Sequence, residues 1–388
     1  MHTHVESATL TRVQIPSRLA RMFNKAILFA CSAVCLLFTA TDNNLGAQAT
    51  IPAPEFILLD VKHKEPKPPV RTANDYVMQD GRVFVRVLPS ATRINVLSFS
   101  RDGSLLAAGK DYGRVAIWDV SKRSFLLALE TGQDSVAALA ISPDNHLIAT
   151  GGRGAREVKL WRLPDGVLVH RFPTGFSAQF LAFAADSSSL IVYETANNPV
   201  YVMDTSTGKH TVDLTGENFP ALSVDGQTLM TESGSQLVLR STSDWKKLRT
   251  LPKPTPTTWP ASLDARLDTY IYADMTDEHS FIAVHLSTGA LYPNPRLIDL
   301  PRFVNSKPYF ASLEPRSGLV FGHSGGRLWV WNFQTGKNCV SQDLHSESGA
   351  LSPDGRLVVA GIDNGSEKIK SGVELWRTDA VMVACGLQ

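Results

Sequence analysis

Apolar residues in this chain come in short runs that alternate with polar positions and are broken by polar turns. A period of two predicts β-strands with one face turned inward. From residue 94 onward these runs recur as a unit. The tetrad apolar-x-apolar-Trp ends at Trp118 (VAIW), Trp161 (VKLW), Trp331 (LWVW) and Trp376 (VELW). Degenerate copies end at Met203 (VYVM), Arg240 (LVLR) and His285 (IAVH), so successive steps are 43, 42, 37, 45, 46 and 45 residues.

A second anchor lies upstream in the unit. Ser100-Arg101-Asp102-Gly103, Ser142-Pro143-Asp144-Asn145, Ser223-Val224-Asp225-Gly226 and Ser352-Pro353-Asp354-Gly355 each stand between two apolar runs. Asp-Gly and Asp-Asn suit a tight hairpin because the second residue must take positive φ. After the Trp position comes a polar turn and another alternating run, as in PDGVLVHRF, TSTGKHTVDL and QTGKNCVSQDL. Each unit therefore reads as four strands. A four-stranded sheet with two apolar faces cannot bury both alone, and stacking such sheets around an axis covers them. A period near 43 residues is that of a β-propeller blade. The expected fold is all-β: a seven-bladed β-propeller of four-stranded antiparallel blades over residues 76–388. Two segments compete to close the ring, DGRVFVRVLP (80–89) and DAVMVACGL (379–387).

The Ser-x-Asp-Gly turns and the four Trp positions, Trp118, Trp161, Trp331 and Trp376, resemble those of the WD-repeat and TolB-like propellers, including exported bacterial ones, over roughly residues 80–388. The likeness implies a rigid ring with a binding role. It departs from the eukaryotic WD pattern, because Trp118-Asp119 is the one true Trp-Asp pair and the opening Gly-His dipeptide is missing.

Gly322-His323-Ser324-Gly325-Gly326 fits G-x-S-x-G, the nucleophile elbow of serine hydrolases. Such an elbow needs a strand before it and a helix after it. Here RLWVW, a strand pattern, follows. FGHSGGRLWVW also aligns with AGKDYGRVAIW (108–118), where Tyr112 replaces Ser324. The segment is therefore expected to be a turn, with glycines serving its backbone angles.

Composition narrows the function. The chain has 388 residues, 43% hydrophobic and 19% charged, a globular balance. The net charge is +1, and residues 50–388 alone hold 34 basic and 35 acidic side chains. No charge excess points to nucleic acid or to an anionic membrane surface. The N-terminal end reads as an export signal. Arg18, Arg21 and Lys25 precede the uncharged run AILFACSAVCLLFTA (26–40), and a polar stretch ends in Ala47-Gln48-Ala49. Basic n-region, short apolar h-region and A-x-A site predict a signal peptide over 1–49, with Met22 a candidate start. An uncleaved anchor is the alternative. Residues 50–75 carry Pro52, Pro54, Pro66, Pro68 and Pro69 and read as a Pro-rich linker, with FILLDV (56–61) a strand docked on the body. Cys339 and Cys385 remain beyond the signal, each expected in the last strand of its repeat, and export permits a disulfide.

His2 and His4 precede the apolar run of the signal, and none of the other eight histidines forms H-x-H or H-x-x-x-H; calcium-loop spacing and a phosphate loop are absent from the sequence, so no catalytic residue, metal or cofactor is expected. What remains is a surface of loops. Turns between second and third strands and the links between blades share one rim. This rim is expected to display Asp111, Tyr112, Arg153, Arg156, His323 and Glu367, joined by Trp259 and Phe303 from two linkers. Aromatic and arginine side chains dominate interface energies. The expected function is non-catalytic binding of a cell-envelope protein. The alternative is a hydrolase or lyase working in the central channel. The inner strands NVLSFS, SVAALAIS, AQFLAFAAD and GALSPD, mostly small and apolar, speak against it.

Overall fold

A computed structural model describes residues 51–52, 54–59, 76–79, 82–85, 93–154, 156–194, 200–253, 258–264, 268–274, 280–297, 310–324, 327–341, 348–361 and 372–387. The expected signal peptide lies outside these. No helix among the described residues is long and apolar enough to cross a membrane.

Seven four-stranded antiparallel sheets follow one another along the chain. Blade one is Ile94–Phe99, Leu105–Lys110, Arg114–Asp119 and Ser124–Glu130. Blades two to six begin at Ser135–Ile141, Phe180–Phe183, Asn218–Leu222, Thr258–Asp264 and Phe310–Leu313. Blade seven begins at Gly349–Leu351, whose neighbour across the seam is the first strand of blade one, so the sheets form a closed ring.

Each sheet buries its faces against the next. Seven clusters of buried side chains fill the seams between neighbouring blades. Trp118, Trp161, Trp331 and Trp376 are 0%, 7%, 0% and 2% exposed, and each sits in the seam with the preceding blade.

The fourth strand of blade seven is Phe56–Leu59, paired antiparallel with Gly372–Arg377. Neither expected segment closes the ring. Arg82–Val85 pairs with Tyr76–Gln79 in a separate two-stranded sheet. Thr378–Ala384 is a helix. Its sequence looks alternating, yet Thr378, Val381 and Cys385 are the buried positions and Val383 is 58% exposed, the three-to-four spacing of a helix. The region read as linker thus supplies a blade strand. Ile51 joins the seam between blades six and seven, and the Trp376 indole N–H donates to the Pro52 carbonyl at 2.9 Å.

Cys339 and Cys385 form a disulfide, with Cα atoms 5.8 Å apart. Cys339 lies in the outer strand of blade six, Asn338–Val340, whereas Cys385 caps the terminal helix rather than sitting in a strand.

Gly322, His323 and Ser324 end a strand, and Gly325 and Gly326 lie outside the described residues. Val320–Ser324 pairs antiparallel with Arg327–Trp331, so the element next described after Ser324 is a strand and not a helix. Gly322 has a different reason for being glycine than the one expected. It lies within the strand, and a Cβ there would overlap the Trp329 ring.

Candidate functional site

The ring offers two faces. One carries the links between blades and the turns between second and third strands. Asp111 stands there but is only 8% exposed. It accepts a hydrogen bond from Asn95 Nδ2 at 2.9 Å and bridges to Ser135 of blade two, so it fastens one blade to the next. Tyr112 is half-buried with φ of 60°, and its backbone N–H donates to the Asp134 carbonyl at 2.8 Å. His323 is 0% exposed and is not displayed on the rim, because its strand turns it into the blade. Strand alternation alone does not say which of two faces is covered. Arg153 lies in the strand Leu147–Arg153 and Trp259 in Thr258–Asp264, with side chains outside the described residues. Phe303 and Glu367 also lie outside them.

Arg156 is exposed and borders a hollow of about 500 Å3 between blades two and three. Phe176 and Tyr201 stack in its wall, with ring centroids 5.5 Å apart. His210 packs on Tyr201 at 4.7 Å. Glu194 also lines the hollow and accepts from the Ser177 N–H at 3.2 Å. A guanidinium, a carboxylate and an aromatic wall thus meet in one open hollow. Arg156 was legible in the sequence as a rim cation. Phe176, Tyr201 and Glu194 were not, since their meeting depends on the fit of two blades.

The opposite face carries the Ser-x-Asp-Gly turns. In each, the serine hydroxyl donates to the aspartate, at 2.6 Å (Ser100–Asp102), 2.5 Å (Ser142–Asp144), 2.5 Å (Ser223–Asp225) and 2.6 Å (Ser352–Asp354). The same hydroxyl accepts the backbone N–H five residues on, and the aspartate accepts the N–H two residues beyond itself. Gly103, Asn145, Gly226 and Gly355 take φ of 73°, 61°, 68° and 71°. Asn145 Nδ2 reaches back to Asp102 at 2.8 Å, joining blades one and two. Burial raises the Asp102 carboxyl, but hydrogen bonds from Ser100, Ser104 and Asn145 outweigh it and hold the pKa down to about 2.

A second hollow, about 660 Å3, opens on this face beside the closing strand. Glu55 spans it, meeting Arg377 at 3.0 Å and Arg123 at 3.9 Å. All three side chains are more than a third exposed, so these pairs are each worth no more than about 1 kcal/mol. Among the described residues, no three His, Cys, Asp or Glu side chains gather closely enough to hold a metal ion.

The WD domain, G-beta repeat family matches residues 82–119 and 124–162. Eukaryotic translation initiation factor 3 subunit I of Scheffersomyces stipitis is 28% identical over 107 residues, which cover 28% of this chain and 30% of that protein. The B-type cell cycle switch protein ccs52B of Medicago truncatula is 27% identical over 167 residues, covering 41% and 34%. WD repeat and SOCS box-containing protein 1 of Takifugu rubripes is 34% identical over 94 residues, covering 24% and 22%. The chain thus spans about a third or less of the length of these relatives. Among solved structures, a chain of Kuenenia stuttgartiensis hydrazine synthase superimposes with a TM-score of 0.58 at 13% identity, covering 78% of this chain and all of that one. At that identity the likeness concerns the fold alone. With its tryptophans in the seams and its serine–aspartate turns repeated from blade to blade, the chain is a seven-bladed β-propeller carrying WD40 repeats.

Proposed function

We propose that this protein is an exported, non-catalytic scaffold that presents its rim to a protein of the cell envelope. WD40 propellers generally bind proteins, and the rigid ring supports that use here. The observation that carries the reading is the rim hollow beside Arg156. It joins an exposed guanidinium, a carboxylate and stacked aromatic rings, the side-chain types that anchor protein interfaces. Export rests on the basic segment and apolar run before Ala47-Gln48-Ala49. The Cys339–Cys385 disulfide supports it, since such bonds persist in oxidising compartments.

The test is crosslinked capture from native cell envelope with the full chain, compared with a Tyr112→Ala, Arg156→Ala, Tyr201→Ala variant. A partner held by the parent and lost by the variant is the expected result. A partner held equally by both would overturn the rim reading.

A further inference from the structure

The closing strand begins close to the end of the expected leader. The A-x-A site Ala47-Gln48-Ala49 puts the cut between Ala49 and Thr50, so Ile51 becomes the second residue of the processed chain. Ile51 is only 6% exposed. It lies in the seam between blades six and seven, in one cluster with Phe321, Trp376, Val381 and Leu387. The next carbonyl, that of Pro52, accepts the Trp376 indole N–H at 2.9 Å. The Glu55 N–H donates to the Leu375 carbonyl at 2.8 Å, and Phe56–Leu59 then pairs with Gly372–Arg377. One fastening to the ring thus comes two residues beyond the cut, and others follow it.

A peptidase needs its substrate extended across a cleft, with the chain on both sides of the bond free to enter. Ile51 cannot enter that cleft while its side chain is packed in the seam and the Pro52 carbonyl is held. Cutting of the closed ring then waits on local opening, and its rate follows the open fraction.

We propose that the Ala49–Thr50 bond is a processing site that ring closure seals. Signal peptidase acts there on chains whose first blade strand is still undocked. Water adds across the amide: the C–N bond breaks, Ala49 leaves with the new carboxylate and Thr50 keeps the new amino group. The inference rests on the export reading above. A chain that closes its ring first retains residues 1–49, with the apolar run 26–40, and stays anchored. The order of cleavage and closure therefore sets whether the propeller is released or held at the membrane.

The test is digestion of the full chain, held in detergent, by purified signal peptidase, read by N-terminal sequencing and by the rate of cutting after Ala49. The folded parent should be cut at least tenfold more slowly than the same chain added unfolded from urea. Leu58→Pro, which breaks the pairing with Val373 well away from the bond, should restore fast cutting. An unfolded chain that is not cut after Ala49 overturns the export reading, and the seal with it. An unfolded chain cut there, with the folded parent cut equally fast or L58P cut as slowly as the parent, overturns the seal alone. Should L58P fail to fold, Trp376→Phe decides. It keeps a ring in the seam and gives up the N–H that holds Pro52, so faster cutting of its folded form supports the seal and an unchanged rate overturns it.

Discussion

The turn aspartate of blade one does three things at once. Asp102 accepts from a serine two residues back, from the backbone two residues on and from Asn145 of the next blade. These donors favour the carboxylate, which is why its pKa falls to about 2 in the folded ring. An ordinary aspartate titrates near 3.9, so the folded state binds fewer protons than the unfolded chain between these values. The stabilisation is full above about pH 4 and is lost as pH falls through about 2. Asp102→Asn should therefore lower stability at neutral pH and flatten the acid limb of unfolding. Equal acid sensitivity in variant and parent, measured by denaturant midpoints from pH 6 to pH 2, would count against it. At this scale the sequence was informative where a residue type carries its own backbone need, as Asp-Gly does. It was silent where position depends on a distant blade. Nothing near Arg101 in the chain signals that it lies against Gly226.

Elements were legible by period, and they misled where a run was short. DAVMVACGL alternates for only a few residues, too few to separate a strand from a helical turn. The helix it forms brings Cys385 to Cys339, the outer edge of blade six, which closes a loop over a sequence separation of 46 residues. A cross-link over such a loop stabilises by up to about 4 kcal/mol, chiefly by restricting the unfolded chain. Cys385→Ser, or reduction with dithiothreitol, should accordingly lower the guanidinium midpoint with little change in the spectrum of the strands. An unchanged midpoint would mean that packing of Val381, Leu387 and Ile51 in the same seam holds the helix unaided.

For the whole molecule, the count of seven blades followed from the spacing of the tetrads, because a repeat constrains every copy at once. The closing strand did not follow, since Phe56–Leu59 stands outside the periodic region and among prolines. Closure matters because the strand covers the edge of Gly372–Arg377, and Ile51 just before it fills the seam between blades six and seven. Removing residues 51–59 should strip hydrogen-exchange protection from Gly372–Arg377, which becomes an edge strand, while the seam between blades three and four is least affected. Unaltered protection of Gly372–Arg377 would show that the strand is dispensable.

That closing strand also fixes a timetable. Residues 56–59 leave the ribosome long before the strand at 372–377 that receives them. Of the blade strands, the one made first is the last to be placed, and until then blade seven lacks its outermost rung. Pairing across so long a stretch of chain is slow and leaves an unpaired edge open to other chains. A cell making this protein therefore has to shield a nearly finished ring from its neighbours until its own beginning returns to meet its end.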